Sequence, residues 1–227
     1  QKFNIFKLIF LKFSIMLGSI KKNYILKIKL VNALKSISQL SRHNNKIEIL
    51  FWIFLDSDRI NNYQQFLNAI PVNKKIGVIL RAKNNNNIYY LSKSLKKICR
   101  KKKFKFLISD SQILAMSVGA DGIHYSRNRN FSRSIKKKII SCSCHGYKDK
   151  RRINNLNAKL TFISPVFLTY SGQNKKPLGL IKISLLANYL NNQYSILGGV
   201  NSSNINSLRN RGIKSVAGLD YISSLIK

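Results

Sequence analysis

Acidic residues are the scarcest chemistry in this chain: 7 Asp+Glu stand against 41 Lys+Arg in 227 residues, a formal net charge of +34. Cysteine is scarce as well. The three thiols, Cys99, Cys142 and Cys144, are too few for a disulfide framework, which points to a reducing, cytoplasmic setting. Nor does the SCSCH run carry the C-x2-C spacing of a zinc site. Long hydrophobic runs are missing. The N-terminal stretch FNIFKLIFLKFSIMLGSI is broken by Lys7 and Lys12 and falls short of the roughly 20 apolar residues a spanning helix needs. It lacks an A-x-A-like cleavage site, and its bases are almost all lysine, unlike arginine-rich import presequences. A nucleophile elbow of the form G-x-S-x-G is absent too, which argues against a serine hydrolase.

The charge needs separate treatment. A value of +34 normally points to nucleic acid or an anionic membrane surface. Here the lysines are spread along almost every helical segment, amid abundant Asn, Ile and Tyr, rather than clustered beside aromatics. That pattern is compositional drift, and phosphate affinity of this kind follows from charge alone. No specific nucleic-acid partner is expected.

What is present is regular from Glu48 onward. Residues 1–45 read as a basic N-terminal extension, helical or partly disordered, and residues 46–227 as the folded unit. The stretch Lys103–Tyr125 sets the pattern: an apolar strand Phe104–Ile108 ending at Ser109-Asp110, a helix from Gln112 to about Val118, and a second strand Gly122–His124. A strand, a helix and a strand in so few residues describe a tight βαβ unit. The same rhythm gives further strands at Ile49–Leu55, Lys75–Leu80, Ile139–Ser143, Leu160–Ile163, Ser195–Leu197 and Ser215–Leu219. Helices are expected at Ile60–Ile70, Tyr89–Arg100, Ser132–Lys138, Asp149–Asn157, Lys182–Asn192, Ser203–Arg211 and Tyr221–Lys227. Eight strands alternating with helices predict an α/β fold, a (β/α)8 TIM barrel, with a doubly wound open sheet as the alternative.

In parallel α/β folds the C-terminal ends of strands carry the chemistry. That face would gather Asp56, Arg81, Lys83, Asp110 and His124 from the first half of the chain. From the second half it would gather Ser143, His145, Thr169, Ser171, Gly198, Gly199 and Asp220. Basic and hydroxyl groups with few carboxylates suit an anionic, phosphorylated ligand. Arg81 and Lys83 alternate at one strand end, so both can point at the same anion. Gly198-Gly199 lets backbone amides approach a phosphate closely. Asp220 reads as a helix cap, since a carboxylate there would repel phosphate. His124 reads as a core histidine. Ser143 and His145 share one face of their strand end, and Cys142 and Cys144 the other.

The succession ILRAK, LISD, GADGIH, SCSCH, ISPVFLTYS, PLG, LGGV and a final G-x-x-x-VAG resembles the thiamine phosphate synthase and TenI-like (thiazole tautomerase) family. The resemblance runs in order from about Ile49 to Ile222, with DSDR at the first strand end. It implies a barrel that joins an aminopyrimidine diphosphate to a thiazole phosphate, releasing pyrophosphate with Mg²⁺ assistance. By position it implies that Arg81 and Lys83 hold the pyrophosphate, that Asp110 binds Mg²⁺ and that Ser143 touches the leaving group. Thr169, Ser171, His145 and the Gly198-Gly199 amides would bind substrate, with Thr169, Ser171 and the two glycines around the thiazole phosphate. Several family positions depart. Ile79 stands for a Gln, Ser109 for an Asn, Arg129 for the second metal Asp, Gly172 for a Lys, and Asp220 for the Ser of the last phosphate loop. Loss of that second carboxylate predicts weak Mg²⁺ binding. The tautomerase histidine falls on Pro165. The leading expectation is a divergent thiamine-phosphate-synthase-like transferase. The alternatives are a non-catalytic or repurposed barrel binding a thiazole or pyrimidine phosphate, and a basic RNA-associated protein.

Overall fold

A computed structural model describes residues 49–56, 60–81, 87–126, 138–169, 176–201, 203–209, 211, 213 and 215–218. Its strands are β1 (Phe51–Leu55), β2 (Ile76–Leu80), β3 (Lys105–Ser109), β4 (Gly122–Tyr125), β5 (Ile139–Cys144), β6 (Leu160–Ile163), β7 (Gln193–Leu197) and β8 (Val216–Ala217). Its helices are α1 (Tyr63–Ala69), α2 (Ile88–Lys102), α3 (Gln112–Ser117), α4 (Lys150–Asn155), α5 (Gly179–Leu190) and α6 (Ile205–Arg209). Runs such as FWIFL and IGVIL are apolar on both faces, and parallel strands of that kind fold only when both faces are covered. Every strand pairs in parallel with the next, and Phe51 of β1 pairs with Val216 of β8. The sheet is therefore a closed barrel, and the open-sheet alternative falls.

Boundaries move where local chemistry overrides periodicity. Asn62 accepts from the Gln65 amide, so α1 starts at Tyr63 and not at Ile60. The segment expected as one helix over Asp149–Asn157 is a 3-10 turn, Tyr147–Asp149, followed by α4. Lys138, placed at a helix end by periodicity, leads directly into β5. The rest of that helix, the terminal helix at Tyr221–Lys227 and the N-terminal extension lie outside the described residues.

The core has two shells. The outer shell, between strands and helices, includes Ile53, Val78, Leu95, Ile123 and Leu186, together with the buried thiols of Cys142 and Cys144. Inside the barrel Trp52, Phe54, Ile79, Leu107, Leu160, Phe162 and Ala217 pack against one another. Large rings from β1 and β6 need small partners. Gly77 supplies one, because a Cβ there would sit 2.3 Å from two ring carbons of Trp52. Gly77→Ala should destabilise the fold by about 1–3 kcal/mol through overpacking. Urea unfolding followed by far-ultraviolet circular dichroism measures this. A second change, Trp52→Leu, should recover part of the loss.

Lys96 pairs with Asp121 at 2.7 Å, but three other lysines find partners that are not carboxylates. Lys102 Nζ donates to the carbonyls of Asn68 and Ile70 at 2.6 Å each, closing the end of α1. Lys150 Nζ donates to those of Tyr189 (2.6 Å) and Leu190 (2.9 Å) at the end of α5. Lys138 Nζ donates to the Ala120 carbonyl, just beyond α3, at 2.6 Å. The negative end of a helix dipole accepts such a cation favourably.

Candidate active site

Closure brings the C-terminal strand ends to one mouth, and its first cationic group is Arg81. The Arg81 amide donates to the Leu55 carbonyl at 3.0 Å, which continues the sheet one residue past β2. Its guanidinium carbon lies 4.5 Å from the centroid of the Phe54 ring. Such a contact holds the group in place and contributes about 0.5–1 kcal/mol or more. Phe54 meets His124 and Phe162 edge to face at 5.3 and 5.1 Å, and His124 meets Phe162 at 5.2 Å. These three rings form a platform inside the barrel, under Arg81.

Asp110 directly follows β3 with φ 57°, a left-handed conformation that Asp tolerates better than most residues. Its amide donates to the His124 carbonyl at 2.9 Å. One carboxylate oxygen accepts from the Ser126 amide at 2.8 Å, and the other from the Ser109 hydroxyl at 2.9 Å. Ser109, where the resemblance leads one to expect an Asn, thus acts to orient the acid. Among the described residues, no group of three His, Cys, Asp or Glu is placed to hold a metal ion.

His124 is fully buried, as the sequence reading expected of a core histidine. Its Nδ1 lies 3.1 Å from Ser141 Oγ, and its Nε2 lies 3.2 Å from Ser143 Oγ. Burial, reinforced by the charges of Arg81 and Arg152, pulls its pKa from 6.5 down to about 3. The folded ring is therefore neutral where the unfolded one would be protonated. Between those two values the unfolded chain binds the extra proton, so stability rises with pH across the window and is lost as pH falls through it. The unfolding free energy from urea titrations should decline from pH 7 toward pH 4, by at most about 1.4 kcal/mol per pH unit from this group. His124→Phe should flatten that decline.

Thr169 and Gly198-Gly199 form a second corner of the mouth. The Phe167 amide donates to the Gly198 carbonyl at 3.1 Å, which docks the loop after β6 onto the loop after β7. A Cβ on Gly198 would come within 3.1 Å of Thr169 Cγ2, and one on Gly199 within 2.4 Å of the Leu168 carbonyl oxygen. Both glycines have positive φ, 105° and 68°. The loops fit this closely only because neither residue has a side chain.

His145 goes elsewhere. Its Nδ1 donates to the Ser164 carbonyl at 2.7 Å, and its amide donates to Asp149 at 2.7 Å. It ties the end of β5 to the end of β6, whereas Ser143 turns inward to His124. Arg152 was not singled out in the sequence. It donates to the Ser126 carbonyl at 3.2 Å and to that of Ser143, strapping the ends of β4 and β5 together. A lone arginine in so basic a chain carries no signal. Lys83, Ser171, Arg129 and Asp220 lie outside the described residues. Phe54 and Phe162 read simply as apolar strand residues in the sequence.

The model of the family described as thiamine monophosphate synthase matches residues 56–222. A thiamine-phosphate synthase of Prochlorococcus marinus subsp. pastoris is 31% identical over 144 residues, which are 60% of this chain and 41% of that protein. The chain thus spans well under half the length of that relative. A putative thiamine-phosphate synthase 2 of Aquifex aeolicus is 26% identical over 74% of this chain and 95% of its own length. Among solved structures, thiamine phosphate pyrophosphorylase from Pyrococcus furiosus superposes with a TM-score of 0.64 at 16% identity, covering 81% of this chain and 94% of that one. The citrate synthase SbnG shares the architecture at 11% identity with a TM-score of 0.55. These superpositions speak to the fold alone.

Proposed function

The chain belongs to the thiamine monophosphate synthase family, and from that premise we propose that it couples an aminopyrimidine diphosphate to a thiazole phosphate and releases pyrophosphate. The observation that carries this reading is the placement of two anion-suited features on one rim. Arg81, held over Phe54, stands past β2, and Thr169 lies against Gly198-Gly199 past β6 and β7. Two phosphorylated rings need two such places.

In the reaction, the bond between the pyrimidine's methylene carbon and the diphosphate oxygen breaks, and its electron pair leaves on the diphosphate. The thiazole nitrogen then gives its lone pair to the methylene cation, so a C–N bond replaces the C–O bond and no proton has to move. Charge grows on the leaving diphosphate, and a fixed cation is most effective there. Arg81, and Lys83 two residues on, supply cations for that role. Asp110 offers hard carboxylate oxygens, each accepting one hydrogen bond and keeping a further lone pair, which suits Mg²⁺ completed by water and phosphate oxygens. Bound there, the ion would neutralise charge on the diphosphate. With Arg129 at the family's second acidic position, Asp110 would act without a second carboxylate and hold the ion weakly.

Incubation with both phosphorylated substrates and Mg²⁺ should yield thiamine phosphate and pyrophosphate in equal amounts. Asp110→Asn keeps an acceptor for the Ser126 amide while removing the charge. It should abolish the Mg²⁺-dependent turnover and leave the thermal midpoint near that of the unaltered chain. Arg129 also favours a second reading, a barrel that binds these ligands without turning them over. Saturable binding with no product would select it.

A further inference from the structure

Helix α5 is apolar on two opposite sides, yet only one of them is covered. Ile183, Leu186, Ala187 and Leu190 are buried against the barrel, and Lys182 is the one charged residue of the helix. On the outer side, Ile181, Leu185 and Tyr189 stand four residues apart and are 64%, 56% and 50% exposed. Tyr147 extends this stripe: its ring lies 5.2 Å from that of Tyr189, and it is 51% exposed. A helix apolar on both sides belongs in an interior, and a continuous apolar surface of this kind marks a contact with another body. The outer side of α2 shows the contrast, with Lys93, Lys97, Arg100 and Lys101 all exposed.

We propose that this stripe is where two copies of the chain meet, with their α5 helices antiparallel about a twofold axis at Leu185. Such an axis sets residue 181 against residue 189 of the other copy, and 182 against 188. Ile181 then packs on Tyr189 and Leu185 on its own counterpart. Lys182 meets Asn188, whose side-chain carbonyl accepts a hydrogen bond from an ammonium group. No like charges face each other across this centre. A parallel pairing would instead set Lys182 against Lys182. Charge selects the face as well. At a net charge of +34, two copies repel each other over most of their surface, and a face with one base opposes contact least. Lys148 and Arg151, exposed beside Tyr147, fall at the rim, where salt screens them. The pairing is independent of the reaction proposed above.

Sedimentation velocity of the full chain tests this. A monomer–dimer equilibrium is expected in the micromolar range. It should tighten roughly tenfold between about 0.05 and about 0.5 M NaCl, because added salt screens the repulsion. Leu185→Lys sets two ammonium groups against each other on the axis and should weaken the dimer at least about tenfold. Far-ultraviolet circular dichroism should stay the same, since the position is exposed. Leu185→Cys probes the register. Cys99, Cys142 and Cys144 are buried, so mild oxidation should link two copies through residue 185. Ile181→Cys, opposite Tyr189, should not link. A chain that stays monomeric at every salt concentration would overturn the proposal, as would a dimer that survives Leu185→Lys. Association that weakens as salt is added would overturn it too, since that is how an anion bridging two cationic surfaces behaves. Cross-linking through residue 181 and not 185 would remove the twofold axis at Leu185.

Discussion

Arg81→Ala is expected to lower turnover by about 10²–10³-fold, the usual loss when a preorganised group that meets developing charge is removed. The guanidinium lies on the face of Phe54, so its position is set by the barrel core and not by a flexible stem. Arg81→Lys should recover only part of the rate, because an ammonium keeps the charge but loses the planar stack. Steady-state kinetics with both substrates separate the two variants. A second readout comes from His124. Arg81 is one of the two charges that help hold this ring neutral, so its removal should let the His124 pKa rise. No change in either rate or histidine titration would remove Arg81 from the site.

The other large effect is expected at Gly199. A valine there would bring its Cβ to within 2.4 Å of the Leu168 carbonyl oxygen, in a backbone conformation that branched side chains avoid. The loops after β6 and β7 could not then dock. Gly199→Val should destabilise the fold by about 3 kcal/mol or more and abolish binding of the thiazole phosphate. Thr169→Val isolates the chemical part of this loss, because it keeps the shape against Gly198 and removes only the hydroxyl. It should raise KM for the thiazole phosphate by roughly tenfold and leave that for the aminopyrimidine diphosphate unaltered. Chemical denaturation and substrate-by-substrate kinetics distinguish the two variants.

The fold was legible because strand runs such as ILFWIFL and KIGVIL are apolar on both faces and recur between helical segments. What the period of two could not reveal was how rings and small residues share the interior. Gly77 read only as part of an apolar strand, yet it makes room for Trp52 from the neighbouring strand. Arg81, Asp110, Thr169 and Gly198-Gly199 could be singled out in the sequence because each lies in the stretch that follows a strand, at the C-terminal end of the barrel. His145 also stands past a strand, but a contact 19 residues away, to the Ser164 carbonyl, turns its ring to the neighbouring strand end. His124 illustrates the converse. It was correctly read as buried, but its two serine neighbours come from β5, and no local pattern announces a hydrogen bond between strands.

The lysines that close α1 and α5 carry a last implication. Their acceptors are peptide oxygens, which do not gain protons at any pH a folded protein meets. Mild acid dissolves carboxylate pairs on most protein surfaces, but it would leave these fastenings intact. With only 7 acidic side chains in the chain, little of the exterior responds to acidification. Acid would act instead on the imidazole in the middle of the barrel, which burial keeps neutral.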